Sequence, residues 1–150
     1  EMGGEPFLIA PTLNVIVAQR LVRKLAEEKE PYKLSQKNLK TLSSYCNLEE
    51  LVQHLKEQKI IKPKDTLSEL TFFKPKASTD AEEGYKGRIG IYEVLPVTES
   101  VKTLIIQKAA ADRIQKQAVE EGMITMVQDG FVKAAQGITS IEEVLRVVSE

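Results

Sequence analysis

Several groups of residues have types and spacings that could do chemistry. Gly84, Gly87 and Gly90 recur every three residues in Gly84-Tyr-Lys-Gly-Arg-Ile-Gly90. Glycine-rich turns cradle phosphates where they feed a helix N-terminus. Gln19, Arg20 and Arg23 lie in Gln19-Arg-Leu-Val-Arg23, where fixed cations can complement phosphate or carboxylate. Glu49-Glu50 and Glu142-Glu143 are adjacent carboxylates, the residue type of acid–base pairs. Cys46 is the single cysteine and His54 the single histidine, and both are metal-ligand types.

Most of these have a plainer reading. The three glycines lead into the β-branched, apolar run Arg88-Ile-Gly-Ile-Tyr-Glu-Val-Leu95. No helix N-terminus follows them, so they read as turn and bulge glycines. The paired glutamates follow Asn47 and Ser140 and read as helix-start acids favoured by the dipole. One thiol and one imidazole do not make a structural zinc site. His54 reads as a surface residue of an amphipathic helix. Arg88 and Glu93 bracket the strand and point to opposite faces, which favours structural roles over a mutual pair. The phosphate loop Gly-x-x-x-x-Gly-Lys-Ser/Thr does not occur in the 150 residues.

The elements that position these residues follow from caps and periodicity. Leu13, Ile16, Val17, Leu21 and Leu25 recur near a 3.6-residue period. That spacing predicts a helix from Pro11-Thr12 until Pro31 stops it. Ser35 caps a short helix through about Tyr45. Asn47 and Glu50 start another with Leu48, Leu51, Val52 and Leu55 on its apolar face, ending near Lys59. Pro63-Lys-Asp65 is a turn. Leu70–Lys74 reads as a short strand, and a hairpin with 88–95 is expected. Lys76–Glu83 is small and polar, an exposed and mobile loop. Thr98, Asp112, Thr125 and Ser140 then open four short helices. Gly122 and Gly137 end two of them, and Thr139-Ser-Ile-Glu-Glu143 has capping-box spacing. The fold class expected is α+β, predominantly helical: a helical insert, a short β-hairpin and a C-terminal bundle of about four helices. No internal repeat or low-complexity segment interrupts it.

Composition sets the outer limits. The chain is 42% hydrophobic and 29% charged, with 21 basic and 22 acidic residues and a net charge of −1. That balance offers no broad field for nucleic acid or an anionic membrane. No apolar run approaches the roughly 18 residues of a membrane span. Glu1-Met-Gly-Gly-Glu-Pro6 lacks the regions of a signal peptide. The apolar Phe7-Leu-Ile-Ala10 follows at once, as in an excised fragment. The lone cysteine suits a reducing compartment.

Several stretches, in order, resemble the secretion and pilus-assembly ATPases, the motors of bacterial type II secretion and type IV pilus extension. They are Phe7-Leu-Ile-Ala10 through Ala18-Gln-Arg-Leu-Val-Arg23, Glu30-Pro-Tyr32, and Gly84-Tyr-Lys-Gly-Arg-Ile-Gly-Ile-Tyr-Glu-Val-Leu95. Glu121-Gly-Met123, Asp129-Gly130 and Gly137-Ile-Thr-Ser-Ile-Glu-Glu-Val-Leu-Arg146 complete the set. Together they cover about two thirds of the chain. Gly84, Tyr85, Gly87, Arg88, Glu93, Gly130 and Gly137 are its motif residues.

The resemblance implies a fragment of a RecA-like, hexameric motor ATPase. ATP and Mg2+ belong to the parent protein and not to this fragment, whose matching region excludes the catalytic motifs. Residues 1–25 would be a helix continuing from the ATPase core, 26–83 an insert, and 84–150 the C-terminal strand and helical domain. Partners implied are the other ring subunits and an inner-membrane platform protein, with neither nucleic acid nor direct membrane insertion. The location implied is cytoplasmic, peripheral to the inner membrane. Gln19, Arg20 and Arg23 become candidates for a nucleotide or subunit interface, against the reading of a solvated helix face. The insert argues for the secretion and extension branch over a retraction-type motor.

Relatives carry two Cys-x-x-Cys pairs that suit zinc. Here Ala26 takes the first ligand position, and Ser78 and Ala81 take the second pair. No metal is expected. The competing reading is a non-catalytic interaction module that has lost the ATPase core.

Overall fold

A computed structural model describes residue 8 and residues 10–149. The first seven residues, Ile9 and Glu150 lie outside the described residues, and most of the Phe7–Ala10 stretch lies there with them.

The chain does not form a helix through 11–25. It forms strand β1, Val15–Leu25. Ile16 and Val17, which fit the helical period, belong to the β-branched run Val15-Ile16-Val17, whose stiff side chains favour a pleated strand. Long-range pairing decides the outcome: β1 is hydrogen-bonded to β4, Tyr85–Pro96. Val22 and Leu25 are buried at its C-terminal end, whereas Val15, Ile16, Val17 and Leu21 are exposed.

The expected hairpin between 70–74 and 88–95 is also replaced. β2, Lys29–Lys33, pairs antiparallel with β3, Thr71–Pro75. Lys29 faces Pro75, Tyr32 faces Phe72 and Lys33 faces Thr71. The Tyr32 and Phe72 rings lie 6.3 Å apart, a cross-strand aromatic pair that holds this register. Pro31 therefore sits inside a strand instead of stopping a helix. In a two-stranded sheet every strand is an edge, where proline is tolerated.

Side-chain caps place several of the helices, though at Ala110, just before the start expected at Asp112, no side-chain cap forms. α1 is Gln36–Leu42, α2 Leu48–Glu57, α3 Glu99–Ile106, α4 Ala111–Glu120, α5 Met126–Ala135 and α6 Ile141–Ser149. Ser35 and Asn38 form a reciprocal capping box. Asn47 Oδ1 accepts from the Glu49 N–H at 3.0 Å, and Thr98 Oγ1 accepts from the Val101 N–H at 3.3 Å. After α5 the Gly137 N–H donates to the Ala134 carbonyl and the Ile138 N–H to the Lys133 carbonyl, both at 3.0 Å. With Gly137 at φ 72°, this is a Schellman stop. The described residues are therefore α+β, with six helices and two small sheets.

The chain divides into two compact units. Glu1–Gln19 and Tyr92–Thr125 make one, and Arg20–Ile91 and Met126–Glu150 make the other. The first holds α3 and α4, with Val101, Leu104, Ala118 and Met123 buried. There Thr98 Oγ1 donates to Glu121 Oε2 at 2.6 Å. Hydrogen bonds from Thr98 and Gln117 hold the Glu121 carboxyl below its ordinary value.

The second unit holds the larger core. Leu34, Leu42, Leu51, Leu55, Ile61 and Leu67 pack with Phe72, Phe131, Ala134, Ile141 and Val144. Beside it Val22, Ile91 and Val147 form a smaller cluster. Here α5 and α6 approach closely at Gly130, as a Cβ on that residue would lie 2.5 Å from Val144 Cγ1.

Candidate functional site

The densest polar arrangement of the second unit surrounds Glu143, in the first turn of α6. Ser140 precedes the helix, and its Oγ accepts from the Glu143 N–H at 3.1 Å. In a full capping box the third-residue glutamate would turn back to the cap. Glu143 turns elsewhere. Its Oε1 accepts from the Arg23 backbone N–H at 3.0 Å and from Arg146 Nη2 at 2.9 Å. Its Oε2 accepts from Arg23 Nη2 at 2.8 Å and from Arg146 Nε at 3.0 Å. Glu143 is only 2% exposed, so an unpaired charge there would be costly. Two guanidinium groups and a main-chain amide offset that cost.

Arg23 reaches further. Its Nη1 donates to Glu83 Oε2, and its guanidinium lies 4.3 Å from the Tyr85 ring centroid, a cation–π contact. Tyr85 Oη and Ser140 Oγ are 2.7 Å apart. The Arg23 carbonyl accepts from Thr139 Oγ1 at 2.7 Å, and the Leu25 N–H donates to the Ile138 carbonyl at 2.9 Å. The end of β1 is thus stitched to the start of α6 by backbone, hydroxyl and charge together. At the other end of α6, Arg20 Nη1 donates to the Val147 carbonyl, which suits a cation beside a helix C-terminus.

Burial pushes the Glu143 carboxyl up, but hydrogen bonds from Arg146 and Arg23 outweigh it and hold the group down at about 2. The hydrogen bond to Glu143 raises Arg23 in turn, against the cost of burial. Burial raises Tyr85, and the bond to Ser140 opposes the rise. A carboxyl this acidic stays ionised at neutral pH and does not shuttle protons there. The arrangement is a fastening.

A pH dependence follows. The folded value lies below the ordinary glutamate value of about 4.3, so the stabilisation is fully present above that value. It is lost as pH falls toward 2. The thermal midpoint should stay level from pH 7 to about 5 and fall steeply toward about 2. Circular dichroism melts across that range check it, and Glu143→Gln should flatten part of the fall.

The other residues singled out from the sequence scatter. Arg20, Arg23 and Tyr85 come together around α6, and Gly84 adjoins Tyr85. Gln19 is exposed on β1, and Arg88 is exposed on β4. Glu93 is half-buried in the other unit. Gly87, inside β4, has φ 80° with open space around it, a backbone conformation open to glycine. Gly130 lies against Val144, and Gly137 against the Phe73 ring. Glu143 was not legible as a site. Its sequence signal, Ser140-x-x-Glu143, is that of an ordinary cap. Arg146 three residues on was a local hint, but Arg23 lies 120 residues away.

Ala26, Ser78 and Ala81 are tied by main chain. The Ala26 N–H donates to the Gly84 carbonyl at 3.0 Å, and the Gly84 N–H to the Ala81 carbonyl at 2.8 Å. Ser78 and Ala81 exchange hydrogen bonds at 3.0 and 3.2 Å. Among the described residues no group of three or more His, Cys, Asp or Glu could hold a metal ion. Cys46 is half-buried, and burial, with Glu50 adding, pushes its thiol up to about 11. His54 Nδ1 lies 4.0 Å from Glu57 Oε2 on α2. No described helix is long and apolar enough to cross a membrane.

Residues 1–146 match the family model described as type II/IV secretion system protein. The chain is 34% identical over 150 residues to the type IV pilus assembly ATPase PilB of Acinetobacter baylyi, covering 99% of this chain and 23% of that protein. It is 33% identical to the type II secretion system protein E of Xanthomonas campestris, covering 100% of this chain and 24% of the relative. To the type II secretion system ATPase E of Vibrio cholerae it is 35% identical, covering 100% and 26%. The chain thus spans about a quarter of the length of these relatives. With 146 of its 150 residues matched, the chain belongs to the type II/IV secretion system protein family.

Proposed function

We propose that the chain is the C-terminal portion of a hexameric, RecA-like motor ATPase subunit that powers type IV pilus assembly or type II secretion. ATP and Mg2+ act in the parent protein. The segment's own work is mechanical: it packs subunits in a cytoplasmic ring and passes force to an inner-membrane platform protein. The observation that carries this reading is the family match over 1–146 in a chain without Gly-x-x-x-x-Gly-Lys-Ser/Thr. The character of the Glu143 cluster supports it. A carboxylate ionised at neutral pH and clamped by two arginines suits a load-bearing joint better than a reaction centre.

On this reading residues 26–83 are the counterpart of the relatives' metal-binding region, closed by main-chain hydrogen bonds where relatives use thiolates. Gln19, Arg20 and Arg23 belong near a subunit boundary. The engagement of Arg20 with α6, and of Arg23 with Glu143, favours fastening within the subunit over nucleotide contact.

Mixing the chain with the cytoplasmic domain of the platform protein tests the mechanical role. Saturable association is expected, and its absence with the platforms of both systems would refute force transfer through this segment. The upstream reading frame separates the motor from a free-standing module. A phosphate-binding loop upstream is expected, and a start codon near residue 1 would favour the module.

A further inference from the structure

We propose that residues 76–84 form a detachable strap, latched by Glu83 onto the outer side of the Arg23 guanidinium. This rests on geometry within one compact unit and stands whether or not the motor reading holds.

The strap is closed on itself. Ser78 and Ala81 pair through two main-chain hydrogen bonds, and the Gly84 N–H closes onto the Ala81 carbonyl. Its base is anchored where the Ala26 N–H meets the Gly84 carbonyl. Gly84 has φ 73°, and a Cβ there would meet the Lys76 nitrogen at 2.6 Å and its carbonyl oxygen at 2.8 Å. Only glycine lets the two ends of the strap pass this closely. Ala81 is buried, while Thr79 to Glu83 otherwise bring little apolar surface to the protein.

The two carboxylates on Arg23 are unequal. The Glu143 side chain is 1% exposed and the Glu83 side chain 75% exposed. The inner carboxylate is desolvated and accepts four hydrogen bonds, two from Arg23 and two from Arg146. The outer pair faces water, where ion pairs are weak and screened by salt. Release of Glu83 leaves Glu143, Arg146 and the Tyr85 contact in place. The strap can therefore open while the joint beneath it stays shut. Opening frees Arg23 Nη1 for another carboxylate or anion.

Amide exchange on the 150-residue chain tests this. The reporters are the N–H groups of Ala26, Ser78, Ala81 and Gly84. Glu83→Gln should speed their exchange about two- to fivefold and leave the thermal midpoint in place. About 0.5 M potassium chloride should do the same to the unmodified chain and add less to Glu83→Gln, where only the long, exposed Lys76–Glu28 pair at 4.0 Å is left to screen on the strap. Equal rates in the variant and the unmodified chain would overturn the latch. So would unprotected rates in both, which would mean a strap that is never closed. Equal salt acceleration in both would assign the effect to other charges and equally refute it.

Discussion

Replacing Glu143 with alanine should lower the chain's stability at neutral pH by about 3 kcal/mol, near the lower end for breaking a buried ion pair. The loss has separate parts. The Arg23 backbone N–H loses its acceptor, and an unmade buried hydrogen bond costs roughly 1–3 kcal/mol. Arg23 and Arg146, which share Glu143, are left facing each other without the anion between them. Arg146 is half exposed and Arg23 one third exposed. Both can turn toward water, which keeps the loss from the upper end of the range. Glu143→Gln keeps the shape and one acceptor oxygen, so its loss should be smaller. Urea unfolding gives both values. Arg23→Ala in the Glu143→Ala background should cost less than Arg23→Ala alone, because the partners form one network. A Glu143→Ala chain within about 0.5 kcal/mol of the unmodified one would contradict the hub.

Gly130→Val should cost a similar amount, about 3 kcal/mol, at the top of the usual range for overpacking. Val144 is fully buried, and its Cγ1 and Cγ2 lie 2.5 and 3.1 Å from where a Cβ on residue 130 would stand. Valine is stiff at χ1 and cannot swing aside. The clash must be relieved by parting α5 from α6, which opens the core around Phe131 and Ile141. Gly130→Ala also clashes, but gains roughly 1 kcal/mol of helix propensity. Combined with Val144→Ala it should lose less than the sum of the two single changes. Strict additivity would mean that the helices do not meet as described.

The helices were legible because caps act locally. Ser35, Asn47, Thr98 and Ser140 each accept from an amide within three residues. Gly137 marks its stop by a backbone conformation open to glycine. Strand β1 was not legible. Leu13, Ile16, Val17, Leu21 and Leu25 fit a helical period, and only pairing with β4 overrides it. The Tyr32–Phe72 pairing is likewise closed across a long stretch of chain, so nothing local marks β2 as the partner of β3. For the site, Arg20, Arg23, Tyr85 and Gly84 drew notice from the sequence, and all four lie around one helix or its strap. Their organiser did not, because Glu143 looks like a cap residue until Arg23 arrives from far up the chain. Charge networks closed over such distances leave no local pattern to read.

On the proposed reading this segment is a mechanical part of a motor and holds none of its nucleotide chemistry. The most direct measurement is a titration of the 150-residue chain with ATP and Mg2+, with phosphate release followed in parallel. The account predicts no saturable binding below millimolar nucleotide and no phosphate release above background. Saturable binding at micromolar ATP, or turnover that follows the amount of chain, would contradict it.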